Sequence, residues 1–190
     1  MQIEALQLEY AIQALRGMPG NKIHAALSNA ANRAMISARA AAWSSVHKTY
    51  TVKRAAFYRD TMIHTFRANK QSLSAAVTFG GYLIPLISYN VKGYRAHEKS
   101  AVRRLKAEVL TGVPTDLRHA YIADLGRYGE SVFERITSQR ESSQTLYGPS
   151  AAHMVGNGEV IREMDQAAKA TFDKRLDHEI DRILRGYGGK

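Results

Sequence analysis

The sequence predicts an α+β protein, a mostly antiparallel sheet packed against two long helices at about 21–47 and 157–185, with a short helix at the N-terminus. Three observations predict it. Two stretches carry small or apolar residues at helical spacing, the segment between them alternates with a period of two, and Gly and Pro clusters mark the boundaries. The order helix, helix, strands, helix segregates the two kinds of element, which is the α+β pattern rather than that of alternating βαβ units. With 190 residues, no internal repeat and no linker, the chain reads as a single domain over 1–190, with flexible loops at 90–100 and 137–156 and a frayed tail at 186–190.

Residues 3–16 place Ile3, Leu6, Tyr10 and Leu15 at helical spacing, although Leu6, Leu8 and Tyr10 also alternate as a strand would. Gly17-Met18-Pro19-Gly20 breaks either element. The helix from Asn21 to about His47 carries Ile23, Leu27, Ala30, Ala34, Ala38, Ala41 and Ser45 on one face, with Lys22, Asn29, Arg33 and Arg39 away from it. Alanine favours helix intrinsically and permits close backbone approach. Each alanine buries little area, so this face predicts a long seam with few individually decisive contacts. Trp43, the one tryptophan, reads as an anchor at the end of that seam.

Thr49 to Tyr58 is a connector holding the basic pair Lys53-Arg54 and a short helix. Met62, His64 and Phe66 then alternate with Ile63, Thr65 and Arg67, a turn follows at Ala68-Asn69-Lys70-Gln71, and Leu73, Ala75, Val77 and Phe79 form a second half-buried strand. Gly80-Gly81 reads as a tight hairpin leading into a strand from Tyr82 to Tyr89, where Pro85 forces an edge or a bulge. Asn90 to Ser100 is a basic polar loop. Leu105, Ala107 and Val109 alternate, Thr111 to Asp116 is a turn-rich link, and Ala120–Leu125 and Ser131–Ile136 are strands separated by Gly126 to Glu130. Thr137 to Gly156 is a long loop, and loops of that length in compact domains carry function or motion. The last helix opens with Asn157 as N-cap and lines up Val160, Met164, Ala168, Phe172, Leu176, Ile180 and Ile183 on one face.

Charge is distributed unevenly. Residues 1–110 hold 16 Lys/Arg against 5 Asp/Glu, whereas residues 111–190 hold 11 against 12. A basic half joined to a balanced half points to an anionic partner, either nucleic acid or an acidic protein. The sequence clusters Lys53, Arg54, Arg59, Arg67 and Lys70, and again Arg103, Arg104 and Lys106, as candidate contacts to DNA or to an acidic partner. No aromatic platform of the RNA-recognition type, zinc finger or recognition helix accompanies them, so any binding to nucleic acid is expected to be independent of sequence.

Reactive chemistry has no comparable signal. There is no cysteine, hence no disulfide framework and no thiolate metal site. The seven histidines, at 24, 47, 64, 97, 119, 153 and 178, include no i, i+4 pair. Asp116, His119 and Asp124 are near one another in sequence but read as polar residues around a strand, not as a base with its orienting carboxylate. Neither a nucleophile elbow nor a phosphate loop is present. The reading is a non-enzyme without cofactor or metal. Glu4 and Glu9 replace the basic start of a signal peptide, and the run from Ala75 to Ile87 is too short and too interrupted to span a bilayer, so a soluble chain is expected.

The segment Ala25–Ala42 with Lys53-Arg54, then Leu83-Ile84-Pro85-Leu86-Ile87, Phe133-Glu134-Arg135, Leu146-Tyr147-Gly148-Pro149-Ser150 and Lys174-Arg175-Leu176-Asp177-His178-Glu179-Ile180, taken in that order, resembles the lambda-type minor tail protein Z family of tailed phages and prophages. The resemblance covers nearly the whole chain. It implies a structural virion protein of the tail-completion type, at the neck or head-proximal end of the tail, needed for tail maturation, head–tail joining and DNA passage. It further implies a ring of copies, six favoured, contacting tail terminator, tail tube and head-joining proteins, in the virion and, during assembly, in the host cytoplasm. It makes the two loops candidate subunit interfaces through Lys92, Tyr94, Arg95, Leu146, Tyr147 and Pro149. The reading that competes with it is a free nucleic-acid-binding protein without sequence preference.

Overall fold

The computed structural model describes residues 20–93, 95–96, 104–124, 126–137 and 142–186; the short N-terminal helix expected over 3–16 lies outside them. The fold is α+β, with two long helices and antiparallel sheets, as the sequence pattern predicts. The elements in order are α1 (Gly20–Thr49), α2 (Arg54–Arg59), β1 (Thr61–Phe66), β2 (Ala76–Gly81), β3 (Leu83–Pro85), β4 (Asn90–Gly93), β5 (Leu105–Leu110), β6 (Val113–Leu117), β7 (Ala120–Asp124), β8 (Glu130–Arg135), β9 (Ser143–Thr145), β10 (Tyr147–Ser150), α3 (Ala151–Val155) and α4 (Gly158–Leu184). Single 3₁₀ turns occupy Leu86–Ser88 and Gly126–Tyr128. The chain divides into two compact units, the described parts of Met1–Ser45, Ile63–Thr78 and Asn157–Lys190 forming one and Val46–Met62 with Phe79–Gly156 the other.

The first unit is held by the two long helices. Leu27, Ala30, Ala31, Ala34 and Ala38 of α1 form one buried cluster with Ala168, Phe172, Leu176 and Ile180 of α4, and Ala68 joins it. Small side chains on one helix receive large ones from the other, so the apolar area comes mainly from α4. The α4 face is the predicted one, with Met164 half-buried and the other six positions buried. On α1 the buried arc is wider than the single predicted stripe, because Met35, Ala42 and Val46 are buried beside it. Asn157 caps α4 by accepting a hydrogen bond from the Glu159 N–H at 2.9 Å. Two polar contacts fix the unit further. The Ser37 hydroxyl donates to the Ala167 carbonyl at 3.2 Å while accepting from the Thr171 hydroxyl at 2.8 Å. The Asn32 amide exchanges two 2.9 Å bonds with the backbone of Ala68, as a strand neighbour would.

The second unit carries the small antiparallel sheets β4-β5-β6, β7-β8-β9 and β10-β3. Alternation sets their faces: Leu105 and Ala107 of β5, and Ile122 and Val132 of β7 and β8, are buried while their neighbours are not. Tyr89, Phe57, Ile84 and Met154 are among the largest of the other side chains buried there.

The structure corrects several sequence expectations. Gly80-Gly81 makes no hairpin between β2 and β3: β2 pairs with β1, and β3 pairs with β10. Gly81 instead has φ +146°, and a Cβ there would sit 2.2 Å from the Asp60 carbonyl oxygen. The glycine permits close passage of two backbones, the other use of glycine in strands. The turn-rich link at 111–116 contains β6, whose Thr115 and Asp116 face Ala107 and Lys106 of β5. The stretch read as a loop at 137–156 holds β9, β10 and α3, and the one at 90–100 begins with β4. These short strands follow irregular sequence because their stability derives from pairing partners distant in the chain.

Candidate interaction surfaces

The basic residues singled out above are surface residues with differing neighbourhoods. Lys53, Arg54, Arg59, Arg104 and Lys106 are exposed in the second unit, and Arg67 and Lys70 are exposed in the first; Arg103 lies outside the described residues. The residues clustered in sequence over 53–70 are thus divided between the two units. Arg59 forms a two-pronged ion pair with Asp60 at 3.0 and 2.8 Å, and the hydrogen bond and charge of that carboxylate raise the guanidinium above its ordinary pKa. Arg54 stacks over the Tyr58 ring at 5.7 Å. Lys53 donates from Nζ to the Ile87 carbonyl at 3.3 Å.

The sheet β4-β5-β6 gathers charges that sequence separation hides. Lys92 is directly opposite Lys106, and Lys106 is opposite Asp116 on the other side. Arg104, two residues before Lys106, falls on the same face by the strand period. Two like charges facing across strands destabilise pairing unless an opposite charge approaches. By the same period Glu108 shares this face, so Asp116 and Glu108 together stand against three exposed cations, and Glu108 is bonded to the Asn90 amide. Finding this patch from sequence would have required the β4–β5 register.

The candidate interface residues are tied into the fold to different degrees. Arg95 is bound to Glu130, and Ala96 donates to the Ile122 carbonyl at 2.8 Å, which fixes the start of this segment; Tyr94 lies outside the described residues. Leu146 is half-buried, donating to Val132 at 2.8 Å and accepting from Leu86 at 3.0 Å. In Leu-Tyr-Gly-Pro-Ser, Leu146 leads into β10 and Ser150, its last residue, is the N-cap of α3. Tyr147 pairs with Pro85, Gly148 packs against the Tyr89 ring, the Pro149 carbonyl accepts from the Tyr89 hydroxyl at 2.8 Å, and Ser150 caps α3 by accepting from the His153 N–H at 3.3 Å. Within Leu146–Ser150 Tyr147 is the exposed residue, at 52%, and Leu83 of the paired strand is 59% exposed. Burial pushes the Tyr89 phenol well above its usual pKa, with the nearby Tyr50 adding to the rise.

A recess of about 340 Å³ is walled by Lys53, Tyr89, Asn90, Arg95 and Glu130 among others. Its charged and polar groups are engaged in structure: Arg95 with Glu130, Lys53 with a carbonyl, and the Asn90 amide with Glu108 at 2.7 Å. Asp116, His119 and Asp124 do not converge into a base and its partner. Asp116 faces Lys106, and Asp124 accepts from the Gly126 N–H at 2.9 Å to shape a turn. Among the described residues no group of three His, Asp or Glu could hold a metal ion, and no helix is long and apolar enough to cross a membrane.

A helix pair joined by an alanine seam, a set of small sheets and cationic surface patches accompany a sequence match that defines the class of the protein, a structural component of a phage tail. The family model that matches is prophage minor tail protein Z, over residues 7–190, and the chain belongs to that family. No curated protein and no solved structure matches it.

Proposed function

We propose that this chain is a tail-completion component at the head-proximal end of the tail or the neck, needed for tail maturation, head–tail joining and passage of DNA. The observation that carries the reading is the family match along nearly the whole chain. In this reading copies close into a ring, six favoured, that contacts the tail terminator, the tail tube and head-joining proteins, in the virion after assembly in the host cytoplasm. Exposed Leu83 and Tyr147 on the β3–β10 sheet, and the face where Lys92, Arg104 and Lys106 outnumber Asp116 and Glu108, support an assembly role, since each presents a surface suited to a partner. Lys53, Arg54, Arg59, Arg67 and Lys70 contact either DNA or an acidic ring.

Cryo-electron microscopy of purified virions tests the placement: density for this chain at the upper tail or neck is expected, and its absence there overturns the reading. A nonsense allele is expected to leave tails that do not join heads, and infectious particles from that allele would count equally against it. The second reading, a free nucleic-acid-binding protein without sequence preference, is favoured by the excess of cations in residues 1–110. It expects the protein on intracellular DNA and missing from virions.

A further inference from the structure

Between Glu9 and Glu98 the chain holds twelve Lys/Arg and a single acidic residue, Asp60, which is spent on Arg59. Its longest element is α1, thirty residues without one Asp or Glu. That absence runs against helix physics. Acidic residues near a helix N-terminus stabilise it, and acid–base pairs at i, i+4 stabilise an exposed face. The other long helix uses both devices, with Glu159 in its first turn and Asp181 paired with Arg185 at 3.8 Å. α1 has no acid in its first turn and none on its surface.

Its exposed face is well defined. Lys22, Arg33, Ile36 and Arg39 are exposed and Trp43 is half-buried, and at about 100° per residue they fall within roughly a third of the helix circumference. The face is opposite the alanine seam, so packing with α4 leaves it uncovered. Lys22, Arg33 and Arg39 have no ion pair or hydrogen-bond partner among the described residues. A solvated face with no partner would gain from acids at these positions; a face that meets phosphates would lose by them, because each carboxylate would repel the ligand.

We infer that the exposed face of α1 is a DNA-contacting surface, with Lys22, Arg33 and Arg39 against the phosphate backbone of a duplex and no base readout. Charge complementarity selects the occupant. The cations are spread along roughly 25 Å of helix at about 1.5 Å per residue, which matches an extended line of charge better than a compact acidic site. The inference goes beyond the assembly reading, since bare DNA tests it without a virion.

The test is fluorescence anisotropy of a labelled duplex of arbitrary sequence with the full chain across a salt series. The wild-type chain is expected to bind with an affinity that falls steeply with salt and does not depend on sequence. Arg33→Gln with Arg39→Gln is expected to weaken binding roughly tenfold at about 100 mM salt and to lower the log–log slope by about two. Lys174→Gln with Arg175→Gln, an equal loss of charge on the exposed side of α4, is expected to change neither much. Helicity by circular dichroism verifies that both variants fold. Equal losses in the two variants overturn the inference, as does a wild-type chain that binds poly-glutamate but not DNA, the outcome that assigns the face to an acidic protein.

Discussion

Tyr89 shows how much one side chain organises in the second unit. Its ring packs on Gly148, its hydroxyl bonds the Pro149 carbonyl, and it is 1% exposed. Tyr89→Phe leaves that carbonyl without its donor and is expected to cost about 1 kcal/mol in urea denaturation at neutral pH. The pH dependence has a definite sign. The folded chain holds the Tyr89 proton to higher pH than the unfolded chain, where a tyrosine ionises near ~10. The contribution is therefore complete below about pH 10 and is lost as pH rises further, and subtracting the Phe variant from the wild type isolates it. Gly148→Ala places a Cβ 2.5 Å from the ring, with buried neighbours that cannot withdraw. Overpacking of that kind is expected to cost about 2–3 kcal/mol, read as a lowered denaturation midpoint. The Leu-Tyr-Gly-Pro-Ser sequence thus has a packing reason for its glycine.

At the scale of elements, α4 was readable because every signal agreed: a capping Asn157, an acid in the first turn, and apolar residues on one stripe. Phe172→Ala removes the largest α4 side chain from the shared cluster and is expected to cost about 3–5 kcal/mol. Asn157→Ala is expected to cost about 1 kcal/mol, and both losses are measurable by chemical denaturation. α1 was readable in extent, but the width of its buried arc was not, since alanine is compatible with either face. Strands with alternating residues, β5, β7 and β8, were visible. The strand read over Tyr82–Tyr89 survives as β3 alone before a 3₁₀ turn, and β6, β9 and β10 were not separable from loop, because three to five residues carry too little pattern and their hydrogen bonds go to partners distant in the chain. The same reason hid the Lys92–Lys106 pair and the Asn32–Ala68 clamp: each depends on a register or a fold-back that no local spacing encodes.

At the scale of the molecule, the family and the charge asymmetry were legible in the sequence, whereas the division into two compact units was not, because the chain crosses between them without any linker composition. The sheets also bear on assembly. Ten described strands fall into four sheets of two or three, and in that arrangement only β5 and β8 are flanked on both sides. The remaining eight are outer strands, whose unpaired backbone groups bond to solvent or to an adjoining polypeptide. Deuterium uptake by mass spectrometry should therefore be slowest at β5 and β8 in the isolated chain. In intact particles the protection should spread outward to whichever rims a neighbour occupies, so that the pattern of slowed amides maps the junctions of the assembled tail.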